Sequence, residues 1–119
     1  MNEITLPFPP AILSPNARPH WAAKAKAVKA YRHACYIACR MADLVPPDTD
    51  GKLHFWIDFH PPSGRKFDDD GLLSRFKSGR DGVADYLGID DVRFVSHPLV
   101  KEKYPPNGCI KLRITAGIE

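Results

Sequence analysis

The segment RKFDDDGLLSRFKSGRDGVADYLGIDD, residues 65 to 91, opens with carboxylates at Asp68, Asp69 and Asp70 and closes with two more at Asp90 and Asp91. Like charges a few ångströms apart repel unless a cation lies between them, and a hard divalent cation takes oxygen ligands of this kind. A second use competes with the first. Carboxylates at a helix amino terminus accept bonds from its orphan N–H groups and suit the macrodipole. One Asp is accounted for by that, whereas a second and third add repulsion for little further capping. The Asp90-Asp91 pair reads equally well as a polar turn before a strand. If a helix and its return loop bring Asp91 back beside Asp70, the stretch supplies the two or three carboxylates that one or two Mg²⁺ ions need, with phosphate oxygens completing the shell. Phosphoryl chemistry fits such a site, because the metal polarises the phosphate and activates water. An EF-hand does not fit: setting Asp68, Asp70 and Gly71 at its third, fifth and sixth positions puts Lys66 and Lys77 where acidic ligands belong.

A cation near the carboxylates would complete the chemistry. On one continuous helix opened by Asp70, Lys77 lies about 700° round, nearly the same face, and roughly 10 Å along the axis, while Arg75 points about 140° away. Lys77 is therefore the expected partner, weighed against an ordinary exposed lysine.

The elements that must position these groups are legible in outline. Glu3 to Phe8 reads as a short strand closed by Pro7, Pro9 and Pro10. Trp21 to Leu44 lacks Gly and Pro, is rich in Ala, and repeats Val28, Tyr31, Cys35, Ala38 and Ala42 at helical spacing; Pro46 and Pro47 end it. Leu53 to His60 alternates, with Leu53, Phe55, Ile57 and Phe59 on one face and His54, Trp56, Asp58 and His60 on the other, as in a half-buried strand. His54 and His60 read as outward polar surface rather than as ligands. Leu72 to Leu87 reads as a second helix, weakened by Gly79 and Gly82. Arg93 to Tyr104 and Cys109 to Ala116 read as strands joined by the turn PPNG at 105 to 108, Pro98 pushing the first towards an edge or bulge. The order β-α-β-α-β-β predicts a two-layer α+β domain spanning residues 1–119, with two helices packed on one mixed sheet.

Bulk properties narrow the partners. The 119 residues suit one domain, and no apolar stretch approaches the roughly 20 residues that cross a bilayer. With no signal-peptide pattern at the amino terminus, the expected setting is cytoplasmic. Cys35, Cys39 and Cys109 form no paired pattern, as expected in a reducing compartment. A zinc site at Cys35, Cys39 and His33 lacks a second Cys/His pair at finger spacing, so these read as small buried residues. The net charge of +3 is modest, but no Asp or Glu occurs from Ile4 to Ala42, where Arg18, Lys24, Lys26, Lys29, Arg32 and Arg40 all lie. Such a segment tracks phosphates or forms a solvated helix face.

The stretches ITLPFPP, SPNARPHW, KAYR, FDDDGLL and GIDDVRF, taken in this order over nearly the whole chain, resemble the RusA-type crossover junction endodeoxyribonucleases, which resolve Holliday junctions. The resemblance implies a homodimeric, Mg²⁺-dependent nuclease acting on four-way DNA junctions, with Asp68, Asp70 and Asp91 as metal ligands and a lysine nearby. Two positions depart from that family's pattern: Gly71 stands where an Asn usually follows the second Asp, and Ser74 where the lysine commonly falls. The lysine's role then passes to Lys77 or Arg75, or lapses. On this reading Arg18, Lys24, Lys26, Lys29, Arg65 and Lys66 position the phosphate backbone without reading sequence. The rivals are a non-catalytic junction binder of the same fold and a metal-dependent hydrolase of small phosphate esters.

Overall fold

Between Trp21 and Ala42 an alanine-rich stretch without Gly or Pro forms the long helix α1, and it buries Tyr31, Cys35 and Cys39 at a spacing of one turn. Asp43 ends it in the left-handed region at φ 52°, which lets Leu44 turn back to donate to the Cys39 carbonyl and bury its side chain. These coordinates are a computed structural model describing residues 2–18 and 20–118.

The remaining elements are β1 (Glu3–Pro7), β2 (Leu53–His60), α2 (Asp69–Arg75), α3 (Lys77–Leu87), β3 (Phe94–Val100) and β4 (Cys109–Thr115), with short 3-10 turns at Ala11–Leu13 and Asp91–Arg93. The four strands form one mixed sheet in the order β1-β4-β2-β3, antiparallel except for the parallel pair β2 and β3. The fold is therefore α+β, with three helices against the sheet. Leu53, Phe55, Ile57 and Phe59 of β2 join Ile110, Leu112 and Ile114 of β4 in the core, as the alternation requires. Pro98 is accommodated because β3 is an edge strand.

Three expectations are corrected. The single helix over Leu72–Leu87 is two helices broken at Phe76, whose fully buried ring packs edge-on against Tyr31 and Phe59. Phe76 itself stays right-handed, at φ −85° and ψ −6°, and its amide and carbonyl still bond to Leu72 and Arg80, so the joint is a one-residue loosening of the ladder. The strand expected to reach Tyr104 ends at Val100; a turn is present at residues 105–107, but the strands on either side are not sheet neighbours, since β2 lies between them and residues 101–108 carry the chain across its end. His60 is buried rather than exposed: its ring stacks on Tyr104 at 4.1 Å and Nδ1 lies 2.9 Å from the Glu102 carbonyl oxygen, because the chain after β3 folds over the end of β2.

The glycines that weakened the second helix have a packing role. A Cβ at Gly82 would overlap the Arg32 carbonyl oxygen and one at Gly79 the Tyr31 and Phe76 rings, so their absence lets α3 lie close against α1. The contact is closed at its rim by a bidentate ion pair, Arg32 Nε and Nη2 to Asp85 at 2.6 and 2.8 Å.

Candidate nucleic-acid interface and carboxylate site

Phe67 packs edge-on against Phe8 and brings the chain off β2 into the start of α2. Asp68 is extended, at φ −108° and ψ 154°, and its Oδ1 accepts the Gly71 amide at 2.5 Å, which makes it the helix cap. A Cβ at Gly71 would come 2.8 Å from that oxygen, so the glycine leaves room for the cap to close. Asp69 Oδ1 accepts the Asp70 amide at 2.9 Å. Capping thus engages two of the three consecutive carboxylates. Asp70 is exposed, and its carboxylate takes no hydrogen bond from a described residue.

The second acidic pair divides similarly. Asp90 Oδ1 caps the turn by accepting the Val92 amide at 3.1 Å. Asp91 Oδ2 stands 3.7 Å from Nη1 of Arg80 on α3. The Arg80 guanidinium also lies over the Phe94 ring and donates from Nη2 to the Phe94 carbonyl at 3.0 Å, while its Nε is buried without a partner. Among the described residues no three His, Cys, Asp or Glu side chains form a group that could hold a metal ion, so Asp68, Asp70 and Asp91 are not drawn together as one ligand cluster. The donor chemistry at the start of α2 nevertheless suits a hard divalent cation. Asp70 is open, Asp68 keeps Oδ2 beyond its cap, and Mg²⁺ is commonly held by one or two carboxylates plus water and substrate phosphate.

Cations and depressions surround α2. A polar pocket of about 170 Å³ gathers Ser14, Asn16, Arg65, Lys66, Asp68 and Gly71. Through Pro15 and Arg75 it adjoins a cleft of about 370 Å³ that contains Lys24, Val28, Ser74, Lys77, Ser78 and Asp81. That cleft shares Ser74 and Lys77 with a depression of about 360 Å³ reaching Arg80 and Ser96. The three depressions thus border one another along α2 and the start of α3, a broken trough from Asp68 to Arg80 that Asp70 does not line. Lys26 and Lys29 lie elsewhere, in an open groove of about 620 Å³ with Arg32, His33, Tyr36 and Asp85. Arg18 is exposed and lines none of these depressions.

The two candidate cations differ in kind. Arg75 donates from Nε to the Pro9 and Pro10 carbonyls at 2.9 and 3.1 Å, and its guanidinium lies over the Phe8 and Phe67 rings. Burial, followed by the nearby Arg65 charge, lowers its pKa. It pins the loop after β1 to α2. Lys77 is exposed, 3.7 Å from Asp81, and borders both the cleft and the depression. Sequence reasoning passed over Arg80, whose one signal is its place on the helix between the two acidic motifs, and noted the Asn of SPNARPHW, Asn16, without giving it a role.

The other ligand candidates have structural partners. Cys35 and Cys39 are fully buried, and burial pushes both thiols up to about 12. His54 Nδ1 lies 2.8 Å from His97 Nε2 on the neighbouring strand, and desolvation, then His54, lowers the His97 pKa. No helix among the described residues is long and apolar enough to cross a membrane.

No family model matches the chain. It is 46% identical over 117 residues to an uncharacterized protein of Xylella fastidiosa strain Temecula1, an alignment covering 97% of this chain and 76% of that protein.

Proposed function

We propose that this chain, which belongs to the same family as the Xylella fastidiosa protein, is a RusA-like, structure-selective DNA endonuclease that resolves four-way junctions by Mg²⁺-dependent phosphodiester hydrolysis. The observation carrying this reading is the trough along α2 and α3, with the Asp68 carboxylate in its polar pocket, exposed Asp70 two residues on, and Arg65, Lys66, Lys24, Lys77 and Arg80 along its length. Carboxylate alone would repel a phosphodiester, and cations alone would only bind it.

Asp70 and the free oxygen of Asp68 would hold the cation. When bound, a divalent ion supplies polarisation of the phosphate and a lowered pKa for attacking water. Arg65 and Lys66 in the polar pocket and Lys24 in the cleft hold the backbone on either side, fixing register without reading sequence. Lys77 borders two of the depressions and is free to swing from Asp81, which suits a charge that engages as negative charge builds on the phosphate. Lys26, Lys29 and Arg18 lie outside the trough and would contact the junction arms. A junction is resolved by two incisions at related positions and one site makes one incision, so the working species is a two-fold homodimer in the cytoplasm.

One observation favours the second reading, a junction binder without catalysis: Asp91 faces Arg80 rather than Asp70. The two separate on a labelled four-way junction, a matched linear duplex and a generic phosphate ester, each with and without Mg²⁺. The nuclease cuts only the junction, and only with metal. Binding without cleavage identifies the binder, and turnover of the ester with indifference to the junction identifies a small-molecule hydrolase.

A further inference from the structure

We infer that Arg80 is a phosphate-receiving residue of the nuclease site, taking the place left by Ser74; this rests on the junction-cleaving reading above. Four observations converge on its guanidinium. It lines the same depression as Ser74 and Lys77, at the end of the trough away from Asp68. It is mostly buried, with its side chain 20% exposed, so its charge is poorly screened. Only Nη2 is firmly committed, to the Phe94 carbonyl at 3.0 Å, because the Asp91 carboxylate at 3.7 Å from Nη1 is beyond hydrogen-bond reach. Nε is sealed from solvent, which leaves Nη1 as the nitrogen open to a ligand.

With Nε sealed from solvent and Nη2 held by the Phe94 carbonyl, Nη1 is the nitrogen that can take a phosphate oxygen in a charge-assisted hydrogen bond. The stack on Phe94 and the bond to its carbonyl set the plane of the guanidinium, and so the direction of Nη1, before the ligand arrives. The loose contact with Asp91 then acquires a role. A phosphate that draws Nη1 towards itself releases the carboxylate from its counter-charge, leaving it able to act as a ligand.

The test uses Arg80→Met and Arg80→Lys in the full chain. Junction affinity is measured by fluorescence anisotropy in EDTA across a salt series, with single-turnover cleavage in Mg²⁺ and a thermal melt for each variant. A lost phosphate contact should shallow the slope of log K against log salt by about 0.9 in the Met variant. Its cleavage of bound junction should slow about 10²-fold or more, as for removal of one charge-stabilising donor. The Lys variant should keep the slope and still cut slowly, because an ammonium keeps the charge but loses the planar stack on Phe94 that aims Nη1. A purely structural role would lower the melting temperature and leave the slope unchanged, and that result in a folded Arg80→Met overturns the inference. If Arg80→Met does not fold, Arg80→Lys decides: a wild-type single-turnover rate overturns the inference and a slow one supports it. A wild-type protein that binds and cuts junctions while its Arg80 variants match it refutes Arg80 alone. One that does not bind junctions refutes the parent reading as well.

Discussion

Asp68 Oδ1 and the Gly71 amide nitrogen are 2.5 Å apart, so the first of the three consecutive carboxylates is spent in part on closing α2, while Asp70 remains open. The two acids should therefore separate in stability. Asp68→Ala should cost about 0.5–2 kcal/mol, the usual range for a lost cap. Asp70→Ala should cost little or even stabilise, because it relieves repulsion at no loss of a bond. Urea denaturation of both variants checks this, and equal losses would mean that the cap is not the stabilising contact.

Lys77→Met should slow the cleavage step far more than it weakens junction binding, as expected for a group used mainly as charge develops. Arg75→Met should instead lower stability, because it removes two donated bonds to the Pro9 and Pro10 carbonyls. Single-turnover rates and melting curves on the two variants distinguish the roles. A cleavage defect in a fully stable Arg75→Met would reverse them.

How far the sequence could be read depended on whether a choice was local. The alternation of β2, the helical run of α1 and the edge position forced by Pro98 are properties of short stretches, and they appear as the residues dictate. The break at Phe76 was not legible, because it follows from burying that ring between Tyr31 and Phe59, which come from distant segments. His60 reads as exposed by alternation and is covered by the segment that follows β3. At the site, the acidic motifs and most of the cations were visible as charge. The pairing of Asp91 with Arg80 was not, since nothing in the spacing says which cation the return loop will meet.

Lys26 and Lys29 share a groove apart from the trough. If both contact the arms of a junction, Lys26→Ala and Lys29→Ala should each shallow the salt dependence of binding by about 0.9 in log K per decade of salt while leaving single-turnover cleavage of bound junction near wild type. Unchanged slopes would make that groove a solvated helix face.

The thiols supply a check on the fold itself. Burial raises Cys35 and Cys39 to about 12, so the native protein should resist alkylation at both while Cys109, on the last strand, reacts first. For a group raised in the folded state, the stabilising contribution is complete below the unfolded value near 9 and is lost as pH climbs through the folded one. Stability should therefore fall between about pH 9 and 12 in a way that Cys35→Ala and Cys39→Ala reduce. Alkylation read by mass spectrometry, with denaturation curves at each pH, reports both effects.

The central claim is tested most directly on a supercoiled plasmid bearing an extruded cruciform, incubated in Mg²⁺ with wild type and with Asp70→Asn. Asp70→Asn removes one metal-binding charge at nearly constant shape. The account predicts that wild type converts the plasmid to linear product by paired incisions at the cruciform and spares a relaxed control, while Asp70→Asn binds the cruciform and leaves it intact. Uncut plasmid with wild type, or cleavage by Asp70→Asn at a rate near that of wild type, would contradict it.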